Sequence, residues 1–377
     1  MPNERAEKIK ILSVFGTRPE ATKMVPLVLA MQDEPEIESY VCVTAQHREL
    51  LDQMLTPFNI KPDYDLNIMT EGQSLADVTS RVLAGLAPIL KEVAPDILLV
   101  HGDTITTFAS SLAAFFAKIS VGHVEAGLRT YDKYRPYPEE VNRKLVTAVA
   151  DLYFAPTQQS RENLLKENVP DKAIYVTGNT AVDFLKYVVA DNYRYKCEPL
   201  NSLPTDKRII LMTSHRQENL GQPLENICRA VRRLVDYFAD TMLVWPVHPN
   251  KAVQEPAHRL LSNHERILLT PAIGPFDMIN MMKRSHMLLT DSGGLQEEAP
   301  AFDLPVLVLR EVTERPEGLT AGTLALAGTN EDTIYNHAAK LLTDKALYQK
   351  MANAPNPFGD GQASARIISA IKEQIKC

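Results

Sequence analysis

The residues of this chain that can do chemistry collect in short loops, each directly after an apolar run. Val14-Phe15-Gly16-Thr17-Arg18-Pro19-Glu20 opens a helical pattern, so its amides point where a helix N-terminus favours an anion, and Arg18 adds a permanent charge. Lys23, just inside that helix, can reach the same anion. A plain βα turn, with Gly at a tight bend and Pro19 at the first helical position, explains the segment equally well. Val100-His101-Gly102-Asp103-Thr104 carries Asp103 to the start of the next helical pattern, where it reads either as a helix cap or as a reactive carboxylate. Gly122-His123-Val124-Glu125 delivers Glu125 to a similar place with no adjacent helix to cap. Arg135-Pro136-Tyr137-Pro138-Glu139-Glu140-Val141-Asn142-Arg143 places Glu139 and Glu140 at a Pro-broken helix start, with Arg143 about one turn further on. Acids there also suit the helix dipole, and Glu140 is assigned that structural role.

Three further loops obey the same rule. Thr213-Ser214-His215-Arg216-Gln217-Glu218-Asn219 brings an imidazole, a guanidinium and an amide together. Asp291-Ser292-Gly293-Gly294-Leu295-Gln296-Glu297-Glu298 leads into a helix, and its glycines let backbone amides approach a phosphate. Glu298 is unsuited to phosphate but can accept the hydroxyl hydrogens of a ribose. Thr313-Glu314-Arg315-Pro316 supplies Arg315 as another phosphate ligand. Singly each loop is ambiguous; together they converge on an anionic, nucleotide-like ligand.

The elements that must position these loops alternate in βαβ rhythm. Residues 8–14, 40–44, 97–100, 121–124 and 152–155 read as strands, and residues 21–31, 75–93 and 106–117 as helices among them. The unbroken apolar character of residues 97–100 suits a strand buried on both faces of a parallel sheet. After a polar segment ending near Pro204 the rhythm restarts, with strands at 208–212, 242–245, 267–269, 287–290 and 306–309. A length of 377 residues also favours two cores. The expectation is an α/β protein of two Rossmann-like domains facing a cleft, residues 1–177 and 178–363, with a terminal helix at 364–377 packing back on the first.

Composition narrows the function. Hydrophobic residues make up 45% and charged residues 23%, as in globular proteins, and a net charge of -7 offers no general attraction to nucleic acid or an anionic membrane. The charged opening lacks a signal-like apolar run, no later stretch is long enough to span a bilayer, and a cytoplasmic protein is expected. Cys42, Cys197, Cys228 and Cys377 show no metal-binding spacing, so neither a metal nor a disulfide framework is expected.

Taken together and in order, the stretches FGTRPEA, HGDT, HVEAGLRT, PEEVNR, DSGGLQEEAP and TERPEG resemble the bacterial non-hydrolysing UDP-N-acetylglucosamine 2-epimerases, and the likeness runs from Ile9 to about Ser364. The resemblance implies a glycosyltransferase-B-like fold that closes on a UDP-sugar, a homodimer, and no cofactor or obligatory metal. It implies interconversion of UDP-N-acetylglucosamine and UDP-N-acetylmannosamine by elimination and re-addition of UDP, supplying sugars for cell-surface polysaccharide. Carried over to this chain, the catalytic groups fall on Asp103, Glu125, Glu139 and His215. The UDP-sugar ligands fall on Arg18, Lys23, Arg143, Ser292, Gly293, Gly294, Glu298 and Arg315. A second, regulatory UDP-N-acetylglucosamine site would involve Gln46, Gln73, Arg216 and His248, although the loop at His215 departs from the family pattern by carrying Gln217 in place of an arginine. A hydrolysing epimerase, a retaining glycosyltransferase and a non-catalytic UDP-sugar sensor are the rival readings of the same loops.

Overall fold

In the computed structural model the described residues are 8–44, 48–70 and 72–375. Two compact units emerge, one formed by Met1–Phe184 with Gly359–Cys377 and the other by Leu185–Phe358. The first holds strands β1 (Ile9–Phe15), β2 (Ile37–Val43), β3 (Tyr64–Asp65), β4 (Ile97–His101), β5 (Ser120–Val124), β6 (Leu152–Ala155) and β7 (Ile174–Val176). The second holds β8 (Arg208–Thr213), β9 (Thr241–Val247), β10 (Ile267–Pro271), β11 (Met287–Thr290), β12 (Val306–Val308) and β13 (Leu324–Leu326).

Within the first unit the sheet order is β3-β2-β1-β4-β5-β6-β7, and within the second it is β10-β9-β8-β11-β12-β13. All pairings are parallel. Ile97, Leu98, Leu99 and Val100 are all fully buried, so both faces of the central strand are covered, as the unbroken apolar run requires. In each sheet the order reverses beside the first strand, between β1 and β4 and between β8 and β11. At such a switch point the loops leaving neighbouring strands diverge and open a crevice at the strands' carboxyl ends.

Helix starts are marked by their caps. Thr17 begins the helix Arg18–Gln32 with a full capping box, closed by Glu20, and Ser74 does the same for Leu75–Val93 with Asp77. In the second unit the helix Gln222–Tyr237 buries Leu224, Ile227, Val231 and Leu234 at helical spacing over the fully buried Trp245 of β9. The terminal helix Ala363–Ile375 belongs to the first unit. The Asp183 carboxylate accepts hydrogen bonds from the amides of Ala363 (3.1 Å) and Ser364 (2.8 Å), Lys372 pairs with Glu34 and Glu36, and Ile367 and Ile371 are fully buried.

Candidate functional site

At the end of β1 the chain turns through Gly16, where a Cβ would lie 1.8 Å from Thr44 Oγ1, so only a hydrogen fits. Glu20 organises this turn. Its Oε2 accepts from the amides of Gly16 (3.1 Å) and Thr17 (2.8 Å), while Oε1 accepts from the hydroxyls of Thr104 (2.8 Å) and Thr107 (3.3 Å). One buried carboxylate thereby ties the loop after β1 to the loop after β4, across the switch point. Burial pushes its carboxyl above the usual range, against the pull of these donors.

Asp103 is not the helix cap that its position allowed. Thr104 caps the helix Ile105–Phe116, accepting from the Thr107 amide at 3.1 Å. Asp103 instead meets Arg143, whose Nε (2.9 Å) and Nη2 (2.7 Å) converge on one carboxylate oxygen. Arg143 Nη1 also reaches Glu140, 3.1 Å away, and Glu140 is fully buried, accepting from the Thr130 and Tyr131 amides at 3.0 Å each. Glu140 thus braces the loop that comes after Glu125.

Glu125 leaves β5 with a left-handed backbone, φ 63°, uncommon for a side chain with a Cβ and a frequent mark of functional positions. Its Oε2 forms an ion pair with Lys23 and accepts from Asn179 Nδ2 at 2.9 Å, and His101 Nε2 stands 3.8 Å from its Oε1. Glu139 opens the helix Glu139–Val149; its Oε2 is buried without a hydrogen-bond partner among the described residues. Arg18 is exposed at the first position of its helix. Gln46 lies outside the described residues. Gln73 is tied to its own neighbourhood, its Oε1 accepting from the Thr70 amide (3.2 Å) and Arg81 Nη1 (3.3 Å).

In the second unit the organising group is Asp291, fully buried just beyond β11. Its Oδ2 accepts from Ser214 Oγ (3.0 Å), the amides of His215 (2.8 Å) and Arg216 (2.9 Å), and Asn219 Nδ2 (2.9 Å). The loops after β8 and β11 are fastened together in this way, as Glu20 fastens their counterparts in the first unit. His215 Nδ1 lies 3.3 Å from Asp291 Oδ1, and its ring stacks on His248 at 5.7 Å between centroids, with 16° between planes. Burial lowers the His215 pKa, and the Asp291 charge works against that shift.

Arg216 and Arg315 flank Gly293 from the loops after β8 and β12: a Cβ there would lie 3.9 Å from Arg216 Nη2 and 3.8 Å from Arg315 Nη2. Two guanidinium groups therefore face the glycine-bearing backbone just beyond Ser292. Arg216, assigned from the resemblance to a regulatory position, thus stands beside the expected nucleotide loop. Arg315 is braced by an ion pair with Glu297, a buried acid, while the half-buried Glu298 lies one residue on. Gln296 holds the Arg315 loop, accepting from Thr313 Oγ1 at 2.6 Å and donating to the Ser292 carbonyl at 3.1 Å. Sequence reasoning singles out none of Glu20, His101, Asn179, Asp291 or Glu297. Their sequence signals are slight: His101, Asn179 and Asp291 are polar residues at or just beyond a strand's end, and Glu20 and Glu297 are acids in the helices that follow β1 and β11. Among the described residues no group of His, Cys, Asp and Glu is arranged to hold a metal, and no helix is long and apolar enough to cross a membrane.

A family model described as UDP-N-acetylglucosamine 2-epimerase matches residues 29–372. A Bacillus subtilis UDP-N-acetylglucosamine 2-epimerase is 55% identical over 365 residues, 97% of this chain and 95% of the relative. A Staphylococcus aureus structure determined with UDP superimposes with a TM-score of 0.86 at 50% identity, covering 98% of this chain and 97% of that one. The Neisseria meningitidis UDP-GlcNAc 2-epimerase bound to UDP-GlcNAc gives 0.85 at 44%, covering 97% of this chain and all (100%) of that one. With the family match spanning residues 29–372 and the Bacillus subtilis relative aligned over 97% of the chain, the chain belongs to the UDP-N-acetylglucosamine 2-epimerase family.

Proposed function

We propose that the chain catalyses the reversible, non-hydrolysing epimerisation of UDP-N-acetylglucosamine to UDP-N-acetylmannosamine, by elimination of UDP across C1–C2 and its re-addition after the proton returns to the other face. The carrying observation is that Asp103 and Glu125 leave neighbouring strands, each held by a cation from a different helix. Such pairing fixes each carboxylate in place beside a cation at its strand's carboxyl end. The C2 hydrogen is not next to a carbonyl, and one placed base typically supplies only about 10²–10⁴-fold, so C1–O cleavage must share the load. As the C2 proton passes to a carboxylate, the C–H electrons form the C1–C2 double bond and UDP departs with the C1–O pair.

Asp103 and Glu125 are assigned to proton removal and return, with Glu139 positioning or relaying. Arg18, Lys23 and Arg143 supply positive charge near the sugar and its leaving group. His215, Arg315 and the Ser292-Gly293-Gly294 backbone take up the pyrophosphate charge, and Glu298 takes the ribose hydroxyls. The relatives solved with UDP and with UDP-GlcNAc support this ligand class. The product suits pathways that build cell-surface polysaccharide. In deuterium oxide the enzyme should place deuterium at C2 of the manno product, and later of recovered substrate, with UDP still attached. Free UDP with labelled N-acetylmannosamine would identify hydrolysis instead, and epimerisation with the C2 hydrogen retained would refute elimination.

A further inference from the structure

His101 ends β4 with 4% of its surface exposed, and neither ring nitrogen has a hydrogen-bond partner among the described residues. Burying an imidazole in this way is unfavourable, and a leucine would fill the same space without the polar penalty. Its neighbour on β5 shows the ordinary solution: His123, equally buried, has its Nε2 2.7 Å from the Gly102 carbonyl. His101 instead aims Nε2 at Glu125 Oε1, 3.8 Å away.

That distance is informative. An imidazole N–H donating to an ionised carboxylate closes to about 2.7–2.9 Å. At 3.8 Å no hydrogen bond joins the two atoms, and neither ring nitrogen has another partner among the described residues. The charged and titratable groups around the ring are Glu125 itself, Lys23 from the first helix and His123 from β5. Burial outweighs the Glu125 charge and drives His101 down to about 3, so the ring is neutral. Nε2 can then keep a lone pair, with the ring hydrogen on Nδ1.

Resting on the function proposed above, we infer that His101 is a positioning residue for Glu125, accepting from its Oε1 the hydrogen bond that Glu125 can donate only once it has taken up the C2 proton. No proton moves onto the ring. The proton passes from C2 to Glu125 as the C1–O bond breaks and UDP takes the electron pair; the new O–H is held by Nε2 and is released when the proton returns. The acceptor supports Glu125 once it carries the proton, while the Lys23 ion pair stays in place on Oε2.

The test compares His101→Leu, which keeps apolar volume and removes the acceptor, with His101→Gln, whose amide oxygen can reach the place of Nε2. For the leucine variant kcat should fall about 10- to 100-fold, with KM within about twofold of wild type. Because the protonated form of Glu125 loses support, the acidic limb of kcat/KM should move to lower pH. The glutamine variant should recover most of the rate, and it keeps the test alive if the leucine variant does not fold. A leucine variant within about threefold of wild type, a limb that stays put or moves upward, or a glutamine variant no better than leucine overturns the assignment. Wild type run beside them in deuterium oxide separates the two failures. C2 labelling by wild type, with unaffected variants, removes His101 alone, whereas epimerisation without labelling removes the function on which it rests.

Discussion

Replacing Asp291 tests whether one buried charge holds the second unit's loops. Its Oδ2 gathers two backbone amides, a serine hydroxyl and the Asn219 amide, all within 3.0 Å. In Asp291→Asn the amide oxygen can occupy the same point and keep the donors, but without charge. A hydrogen bond to a charged group is worth about 1.5–3 kcal/mol against about 0.5–1.5 for a neutral one, so the substitution weakens each by about 1 kcal/mol. With four donors sharing one oxygen, additivity fails and a total of about 2–4 kcal/mol is expected. Asp291→Ala leaves all the donors buried and unpaired and should lose about 3–5 kcal/mol. In a unit of this size 1 kcal/mol shifts Tm by about 2–4 °C, so scanning calorimetry should show the asparagine variant's second-unit transition about 5–15 °C lower. Since the same loop presents His215 and Arg216, UDP titrated by calorimetry should bind at least about tenfold more weakly. An asparagine variant with a Tm within about 2 °C of wild type and unchanged UDP affinity would refute the reasoning, because the oxygen's position alone would then be enough.

Acid should weaken the first unit in a particular window. His101 and His123 titrate near 6.5 when exposed and are driven by burial to about 3 and about 4, so their stability is complete above 6.5 and is lost as pH falls toward the folded values. Each loses about 1.4 kcal/mol per pH unit, or about 2 kcal/mol by pH 5. Glu20, pushed upward, works in the opposite direction. The Tm of wild type should fall from pH 7 to pH 5 and that of His123→Gln should fall less steeply; equal slopes would show that His123 is not buried neutral. Gly16→Ala forces a methyl to 1.8 Å from Thr44 Oγ1 and must displace the turn, so kcat/KM should drop at least about tenfold and recover in part when Thr44→Ala is added. Wild-type kinetics in the single variant would show that the turn is not confined.

The loops were legible because a parallel sheet requires apolar runs, and each run must end in the glycine and polar residues that turn the chain at the sheet's carboxyl edge. Their partners were not. Lys23 meets Glu125 across 102 positions and Arg143 meets Asp103 across 40, and no local period records such distances. Glu20 reads from sequence as a first-turn acid; only the fold brings Thr104 and Thr107 to its second oxygen. Asp103 carried two readings because Thr104, one residue on, is an equally good cap, and the hydroxyl took that place. The edge strands β3, β7 and β13 are two or three residues long, too short to show alternation, and pairing with a neighbour defines them.

The order in which the first unit's parts occur along the chain has a consequence for its birth on the ribosome. Residues up to Phe184 emerge early, but the helix Ala363–Ile375 that completes this unit comes after the entire second unit. At ordinary elongation rates that gap lasts on the order of 10–30 s. Throughout it, the surface awaiting Ile367 and Ile371 stays uncovered, and Asp183 waits for the two amides it caps. The first unit's folding is therefore finished by a segment synthesised after its neighbour.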